Sequence, residues 1–186
     1  MSISGTLFVT RLGAVLAGGR AERFGSDKAL ALWRGRPLIA HAADILSRHS
    51  QAVVVCGRDS APLALPCLAD RPRAGLGPLG GLCAALEHAA ANGHQQVLTI
   101  GCDMPMIDEA LIAALIAPGT GRFLAQAPVV GCWPATLAEP LLRHLETDGD
   151  RAVRRWAAAA GVESLDAGAP LANLNTPDDL AALGGG

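Results

Sequence analysis

A stretch near the start of the chain combines two glycines with three cations, a pattern that suits a polyphosphate ligand. Gly18 and Gly19 follow a short apolar run, and Arg20, Arg23 and Lys28 come soon after them. A glycine turn exposes backbone N–H groups, because no Cβ atom stands between them and a ligand. The pattern is neither a P-loop nor a dinucleotide-binding fingerprint, since each of those requires a different glycine spacing. We therefore predict that this stretch binds a small molecule carrying several phosphates.

Asp103 stands where a metal-assisted reaction of phosphates would need a carboxylate. It lies at the C-terminal end of the apolar run 96–100, and Met104-Pro105 restrict the chain just beyond it. A carboxylate repels a triphosphate unless a cation lies between them, and Mg²⁺ binds through one or two carboxylates plus phosphate oxygens. The alternative role is a cap of the following helix, for which Asp108 is better placed. We predict that Asp103 binds Mg²⁺.

Strand-like and helix-like segments alternate along the first two thirds of the chain, and they must position these residues. The predicted strands lie at 12–17, 52–57, 63–69 and 96–100, and the predicted helices at 37–48, 82–91 and 109–116. Strand–helix–strand order predicts parallel pairing with right-handed crossovers. The remaining predictions are extended chain over 122–133, helices over 137–145 and 152–159, a strand over 162–165 and a helix capped by Thr176. The fold class is therefore α/β, with three layers and a mostly parallel sheet.

Four of the singled-out features fall at the carboxyl ends of the predicted strands. They are Gly18-Gly19 after the first strand, Gly57 after the second, Asp70 after the third and Asp103 after the fourth. Ligands of open α/β sheets bind at this edge, so the four features are expected to share one site.

Composition narrows the range of partners. The net charge of -2 gives no support for nucleic acid as the main partner, because binding to a phosphate backbone needs a basic excess. The five cysteines contain no C-x-x-C pair, and no signal peptide is visible, so a reduced cytoplasmic setting is expected. The sequence has no long apolar span free of charge, and we expect no membrane-spanning helix.

Four motifs resemble those of a known enzyme family. The string L-A-G-G-R-A-E-R-F-G-S-D-K, residues 16–28, resembles the signature of nucleotidyltransferases and, within them, of the molybdenum cofactor guanylyltransferases. G-P-L-G-G-L at 77–82, C-D-M-P at 102–105 and N-L-N-T-P at 173–177 resemble further segments of that family, so the resemblance covers nearly the whole chain. Phe24 replaces the family's usual Met, and Cys56-Gly57 stand where an asparagine is common.

The resemblance implies a fold and a reaction. The fold is that of the nucleotide-diphospho-sugar transferases, which is Rossmann-like, in one nucleotidyltransferase domain over residues 1–186. A nucleotide half would span about 12–105 and a pterin-side half about 106–183. The reaction transfers GMP from GTP to the phosphate of molybdopterin, usually loaded with molybdenum, and releases pyrophosphate. Mg²⁺ is the implied cofactor, and molybdopterin-insertion proteins or molybdenum enzymes are the implied transient partners.

The resemblance also assigns roles by position. The implied nucleotide ligands are Leu16, Ala17, Gly18, Gly19, Lys28, Asp70 and Asp103. Arg23, Lys28 and Asp103 would be the catalytic residues, with the metal on Asp103. Asn173 and Asn175 fall where the family meets the pterin, although a turn and capping network is an alternative role for both. Arg151 and the arginines of the loop 71–76 are further candidates for the pterin phosphate.

Two other functions stay open at this point. The sister enzymes that use CTP with the same pterin more often show L-A-A-G, and the second glycine of this chain removes a methyl group beside the presumed base. The larger purine is therefore favoured over a pyrimidine. A catalytically inactive nucleotide-binding regulator is the other alternative, and the joint presence of Arg23, Lys28 and Asp103 argues against it. A nucleotide panel with molybdopterin discriminates among the three.

Overall fold

The computed structural model describes residues 9–18, 27–117, 121–147 and 150–171, together with Leu174 and Asp179, and a seven-stranded sheet is its framework. The strands in chain order are β1 (Arg11–Leu16), β2 (Leu32–Trp33), β3 (Arg36–Pro37), β4 (Ala52–Cys56), β5 (Cys67–Leu68), β6 (Gln96–Gly101), β7 (Arg122–Leu124), β8 (Gly131–Pro134) and β9 (Glu163–Leu165). The helices are α1 (Leu38–His49), α2 (Pro78–Ala91), α3 (Glu109–Leu115), α4 (Ala138–Glu146) and α5 (Val153–Ala159), with 3₁₀ turns at Lys28–Leu30 and Ala135–Leu137.

The sheet is mostly parallel, as predicted. Its strand order is β5-β4-β1-β6-β8-β7-β9. β5, β4, β1 and β6 pair in parallel, β8 is antiparallel to both β6 and β7, and β9 is parallel to β7. Because β8 reverses the direction twice, β7 and β9 run the same way as β6. The carboxyl ends of every strand of this sheet except β8 therefore lie along one edge.

Each face of the sheet is covered by helices, which gives the predicted three layers. Side chains alternate across a strand, so β1 sends Leu12 and Ala14 to one face and Val15 to the other. The first face packs against α2, α4 and α5, whose buried residues include Leu86 and Trp156. The second face packs against α1 and α3. No helix in the described ranges is both long and apolar enough to cross a membrane.

Three predicted elements differ from the structure. Helix α2 begins at Pro78 instead of Leu82, because Pro78 takes the first helical turn after Gly77, whose φ is +64°. The predicted strand 63–69 is only the two-residue edge strand β5, since Pro66 has no N–H to donate. The predicted extended segment 122–133 is two antiparallel strands, β7 and β8, joined by a turn.

The predicted link between Lys28 and α1 has structure of its own. β2 and β3 form a short hairpin whose tip is Arg34-Gly35, and the guanidinium of Arg34 lies 4.5 Å from the centroid of the Trp33 ring. Trp33 is buried in a small apolar cluster with Leu38 and Leu174. The hairpin thus fixes the chain that follows Lys28, and Leu174 packs against the same cluster.

Candidate active site

Gly18 and Gly57 form the floor of the site by direct contact of their backbones. They follow the neighbouring strands β1 and β4. A Cβ atom built on Gly57 would lie 2.5 Å from Gly18 Cα and 2.8 Å from Gly18 N, and the φ of Gly57 is +85°. Ala17 N donates to Cys56 O at 3.0 Å, which holds the two strand ends together. Only glycine allows this approach, so the floor presents bare backbone to a ligand.

Replacing Gly57 by alanine is expected to lower the free energy of unfolding by roughly 2–5 kcal/mol. The left-handed conformation costs about 1–2 kcal/mol and overpacking a further ~1–3 kcal/mol. Gly93 is the matched control, because its φ is +74° and a Cβ atom there would meet nothing within 4 Å. Gly93→Ala should therefore cost only about 1–2 kcal/mol. Urea denaturation of both variants measures the difference, and equal losses would contradict the close approach at Gly57.

Asp70 lies at one end of this floor, above three glycines. A Cβ atom on Gly80 would lie 3.0 Å from Asp70 Cγ, one on Gly57 would lie 3.3 Å from Asp70 Oδ1, and one on Gly81 would lie 3.7 Å from Oδ1. Burial raises the pKa of Asp70, and a hydrogen bond from the backbone N–H of Gly75 acts in the opposite direction. A partly buried carboxylate against bare backbone is suited to accept hydrogen bonds from a nucleoside.

Lys28 and Asp103 form an ion pair at the centre of the carboxyl edge. Lys28 Nζ lies 3.0 Å from Asp103 Oδ2, and their side chains are 17% and 24% exposed. Asp27 caps the 3₁₀ turn that carries Lys28 by accepting from Ala29 N at 3.1 Å, and it also pairs with Arg58. The pair joins a cation and a carboxylate that are far apart in the sequence, and it stands beside the glycine floor.

Asp103 is held by the loop that follows β6. Met104 N donates to Gly101 O at 3.1 Å, and a Cβ atom on Gly101 would lie 2.6 Å from Asp103 Oδ1. The carboxylate therefore folds back over Gly101 at the end of the strand. It does not cap α3, because Asp108 does so by accepting from Ala110 N at 2.8 Å. The alternative role considered for Asp103 in the sequence is thus excluded.

The donor set fits a metal ion that is shared with a phosphate ligand. The described part of the chain has no cluster of three or more His, Cys, Asp or Glu that would hold a metal without further ligands. Asp103 supplies one partly exposed carboxylate, and Mg²⁺ commonly takes one or two carboxylates together with phosphate oxygens. The geometry agrees with an ion that arrives with a triphosphate.

The neighbouring thiols are not nucleophiles. Burial raises the pKa of Cys102 to about 12, and the Asp103 charge acts in the same direction. Burial likewise raises the pKa of Cys56 to about 12. Thiols with such values stay protonated near neutral pH, which agrees with the packing role predicted for the cysteines.

The structure brings together Leu16, Ala17, Gly18, Asp70, Lys28 and Asp103 from the predicted site. Gly19, Arg23, Asn173 and Asn175 lie outside the described residues, so their roles stay predictions. Arg71 pairs with Glu87 at 2.8 Å, and Arg151 donates to Gly75 O at 3.3 Å. Leu174, which the motif did not single out, donates its N–H to Asp103 O at 3.0 Å and is buried with Trp33. The signal in the sequence that could have predicted this burial is a single apolar residue between two asparagines.

An open, mostly parallel α/β sheet with a glycine floor, a lysine and a carboxylate at its carboxyl edge is suited to bind a nucleotide. Residues 13–167 match the family model of the MobA-like NTP transferase domain, and the chain belongs to that family. It is therefore an enzyme of the nucleotidyltransferase class, as the motifs predicted.

Two relatives agree with this assignment, and a solved structure agrees with the fold. A molybdenum cofactor guanylyltransferase of Rhizobium leguminosarum is 37% identical over 91% of this chain and 89% of its own. One of Pseudomonas aeruginosa is 37% identical over 90% of this chain and 91% of its own. The fold is similar to the crystal structure of molybdopterin-guanine dinucleotide biosynthesis protein A from Archaeoglobus fulgidus, with a TM-score of 0.74 and 21% identity over 93% of this chain and 96% of that chain.

Proposed function

We propose that this protein transfers GMP from GTP to the phosphate of molybdopterin, giving the guanine dinucleotide cofactor and pyrophosphate. The relatives described above are named for guanylyl transfer to the molybdenum cofactor, and they match this chain over most of their length. The observation that carries the proposal is the Lys28–Asp103 pair beside the Gly18–Gly57 floor. A cation and a carboxylate side by side at this edge suit a triphosphate that arrives with a metal ion, and this supports the proposal.

The chemistry asks the protein for positioning and charge stabilisation. The pterin phosphate attacks the α-phosphorus of GTP, a new P–O bond forms, and the bond to the pyrophosphate oxygen breaks with its electron pair leaving on pyrophosphate. The nucleophile is already an anion near neutral pH, so no side chain has to remove a proton. Lys28, with Arg23 as predicted from the motif, offsets charge on the α-phosphate and the leaving pyrophosphate.

We assign Mg²⁺ to Asp103 as the metal of the reaction. When bound, it would neutralise part of the triphosphate charge and polarise the phosphate oxygens. The residues of this chain bind and orient the substrates around it. In this proposal Asp70 accepts hydrogen bonds from the nucleoside, the glycine floor receives the phosphates, and Lys28 contacts the reacting phosphate.

The pterin side and the domain organisation complete the proposal. Asn173 and Asn175 are assigned to the pterin, and Leu174 donates its N–H to Asp103 O at 3.0 Å. Residues 1–186 form one nucleotidyltransferase domain, with the nucleotide half over about 12–105 and the pterin side over about 106–183. Transient docking to a protein that receives the product is expected, since the product is a cofactor that must reach its enzyme.

A nucleotide panel tests the proposed function. Pyrophosphate release is measured with GTP, CTP, ATP and UTP, each with Mg²⁺ and molybdopterin, and the dinucleotide product is identified by mass. GTP is expected to give a kcat/KM at least about tenfold above that of each other nucleotide, the discrimination that a difference of ~1.4 kcal/mol supplies. Omitting molybdopterin should abolish the release. A preference for CTP would show that CTP, and not GTP, is the nucleotide donor. Pyrophosphate release in the absence of molybdopterin, or no release in its presence, would contradict guanylyl transfer.

A further inference from the structure

A cleft of about 540 Å³ opens beside the loop of Asp103, and neither Gly18 nor Gly57 of the glycine floor lines it. Met104, which directly follows Asp103, forms one wall. The other walls come from Gln126 and Ala127, which follow β7, and from the segment that follows β9, including Asp166 and Leu171. All of these residues lie within the described ranges of the chain.

The strand order determines which substrate the cleft would face. Asp70 follows β5 at one end of the sheet, Asp103 follows the central strand β6, and the cleft lies at the ends of β7 and β9 on the far side. Because β7 and β9 run the same way as β6, the cleft opens at the same edge as the glycine floor. With the nucleoside near Asp70 and the phosphates near Asp103, the cleft is on the side from which the second substrate must approach.

The lining of the cleft combines an apolar surface with one carboxylate. Met104 and Ala127 are only 1% and 8% exposed, so they form a closed apolar base, and Leu171 is partly buried beside them. Asp166 and Gln126 are exposed at the rim. A heterocycle with polar groups on one edge matches such a surface, because its ring packs on the base while its edge meets the rim.

Two hydrogen bonds orient Asp166 through one of its carboxylate oxygens and leave the other oxygen for a ligand. Its Oδ1 accepts from Gln126 Nε2 at 2.5 Å and from Gly168 N at 2.8 Å. The oxygen of the Gln126 amide accepts from Ala167 N at 3.1 Å, so both ends of that amide are engaged. Asp166 Oδ2 accepts no hydrogen bond from the described residues. The Gly168 and Gln126 hydrogen bonds lower the pKa of Asp166, which therefore stays ionised near neutral pH.

We propose that this cleft binds the pterin ring of the second substrate, with Asp166 as the residue that recognises its pyrimidine edge. A pterin carries a 2-amino group and a ring N–H side by side, and both are donors. A carboxylate is the matching acceptor, and charge-assisted hydrogen bonds of this kind are stronger than neutral ones. The inference rests on the proposed function for the identity of the substrate, and it adds the position and the recognising residue.

Equilibrium dialysis of molybdopterin against the full chain, with the bound pterin quantified after oxidation, tests the proposal. Asp166→Asn keeps the size and the acceptor for Gly168 N, but it turns the ligand-facing acceptor into a donor. We expect the Kd for molybdopterin to rise roughly tenfold or more, while the Kd for GTP stays within about twofold. Asp108→Asn is the matched control, because Asp108 also accepts from the backbone N–H two residues on at 2.8 Å and lies outside the cleft. It should leave both constants unchanged.

A second variant separates binding from folding. Ala169 is an exposed residue of the cleft wall, and Ala169→Trp fills the cleft without removing any hydrogen bond. It should weaken molybdopterin in the same way, with an unchanged melting temperature. Unchanged molybdopterin affinity in both variants, or no pterin binding by the wild type, overturns the inference. If both variants weaken pterin binding but the wild type transfers no GMP, the inference stands and the proposed function is overturned.

Discussion

Lys28→Ala is expected to lower the turnover of GTP with molybdopterin by roughly 10²-fold or more. Loss of one preorganised donor aimed at developing charge has an effect of this size in other enzymes. The Lys28 ammonium is preorganised because a capped 3₁₀ turn and the Asp103 carboxylate hold it over the edge of the sheet. Steady-state kinetics with both substrates measures the loss, which should appear mainly in kcat.

The matched control is Arg36→Ala. Arg36 is also a cation paired with an aspartate, Asp44, at 2.7 Å, but its side chain is 53% exposed and lies on the hairpin away from the sheet edge. Exposed ion pairs contribute little, so activity and stability should both stay near the wild-type values. A folded Lys28→Ala protein that turns over almost normally would remove Lys28 from the reaction.

Asp103→Asn is expected to lower activity steeply, with partial recovery as the Mg²⁺ concentration is raised. The substitution keeps the size of the side chain and removes the charge that recruits the ion, so a higher metal concentration compensates by mass action. Metal-free GTP should bind as tightly as before or more tightly. The reason is that Lys28 then faces the triphosphate without the opposing carboxylate at 3.0 Å.

Titrating GTP into wild type and Asp103→Asn, with Mg²⁺ and with a chelator, separates the two effects. Asp44→Asn serves as the control, because it removes an exposed, ion-paired aspartate that is remote from the edge of the sheet. Normal turnover of Asp103→Asn with an unchanged Mg²⁺ requirement would place the metal elsewhere.

The central strands and the position of the site could be predicted from local patterns in the sequence. The β-branched and apolar runs of β1, β4 and β6 have the period and length of buried strands, and a glycine or an aspartate follows each strand within two residues. The convergence of Gly18, Gly57, Asp70 and Asp103 followed from parallel pairing alone. Both predictions needed only short-range periodicity and one topological rule.

The start of α2 and the long-range side-chain contacts depend on tertiary packing, and for that reason the sequence did not predict them. Gly80-Gly81 suggest a turn, but they lie inside α2, where small residues let the helix approach the sheet. A Cβ atom on Gly81 would lie 3.2 Å from Cys56 Cβ, so close packing outweighs the helix propensity that glycine lacks. The Lys28–Asp103 and Gln126–Asp166 contacts join distant parts of the chain, and no local pattern encodes such a pair.

The position of β8 determines what an incomplete chain would do. The buried strand β6, with the sequence QVLTIG, pairs with β1 along one of its edges, and both strands have been synthesised once the chain reaches residue 101. The strand that pairs with the other edge of β6 is β8, which begins only at Gly131. A chain ending between these points would carry an apolar strand with a free row of backbone N–H and C=O groups, which is a template for strands of other chains. Such a fragment is expected to aggregate, even though Gly18, Lys28 and Asp70 are all present in it.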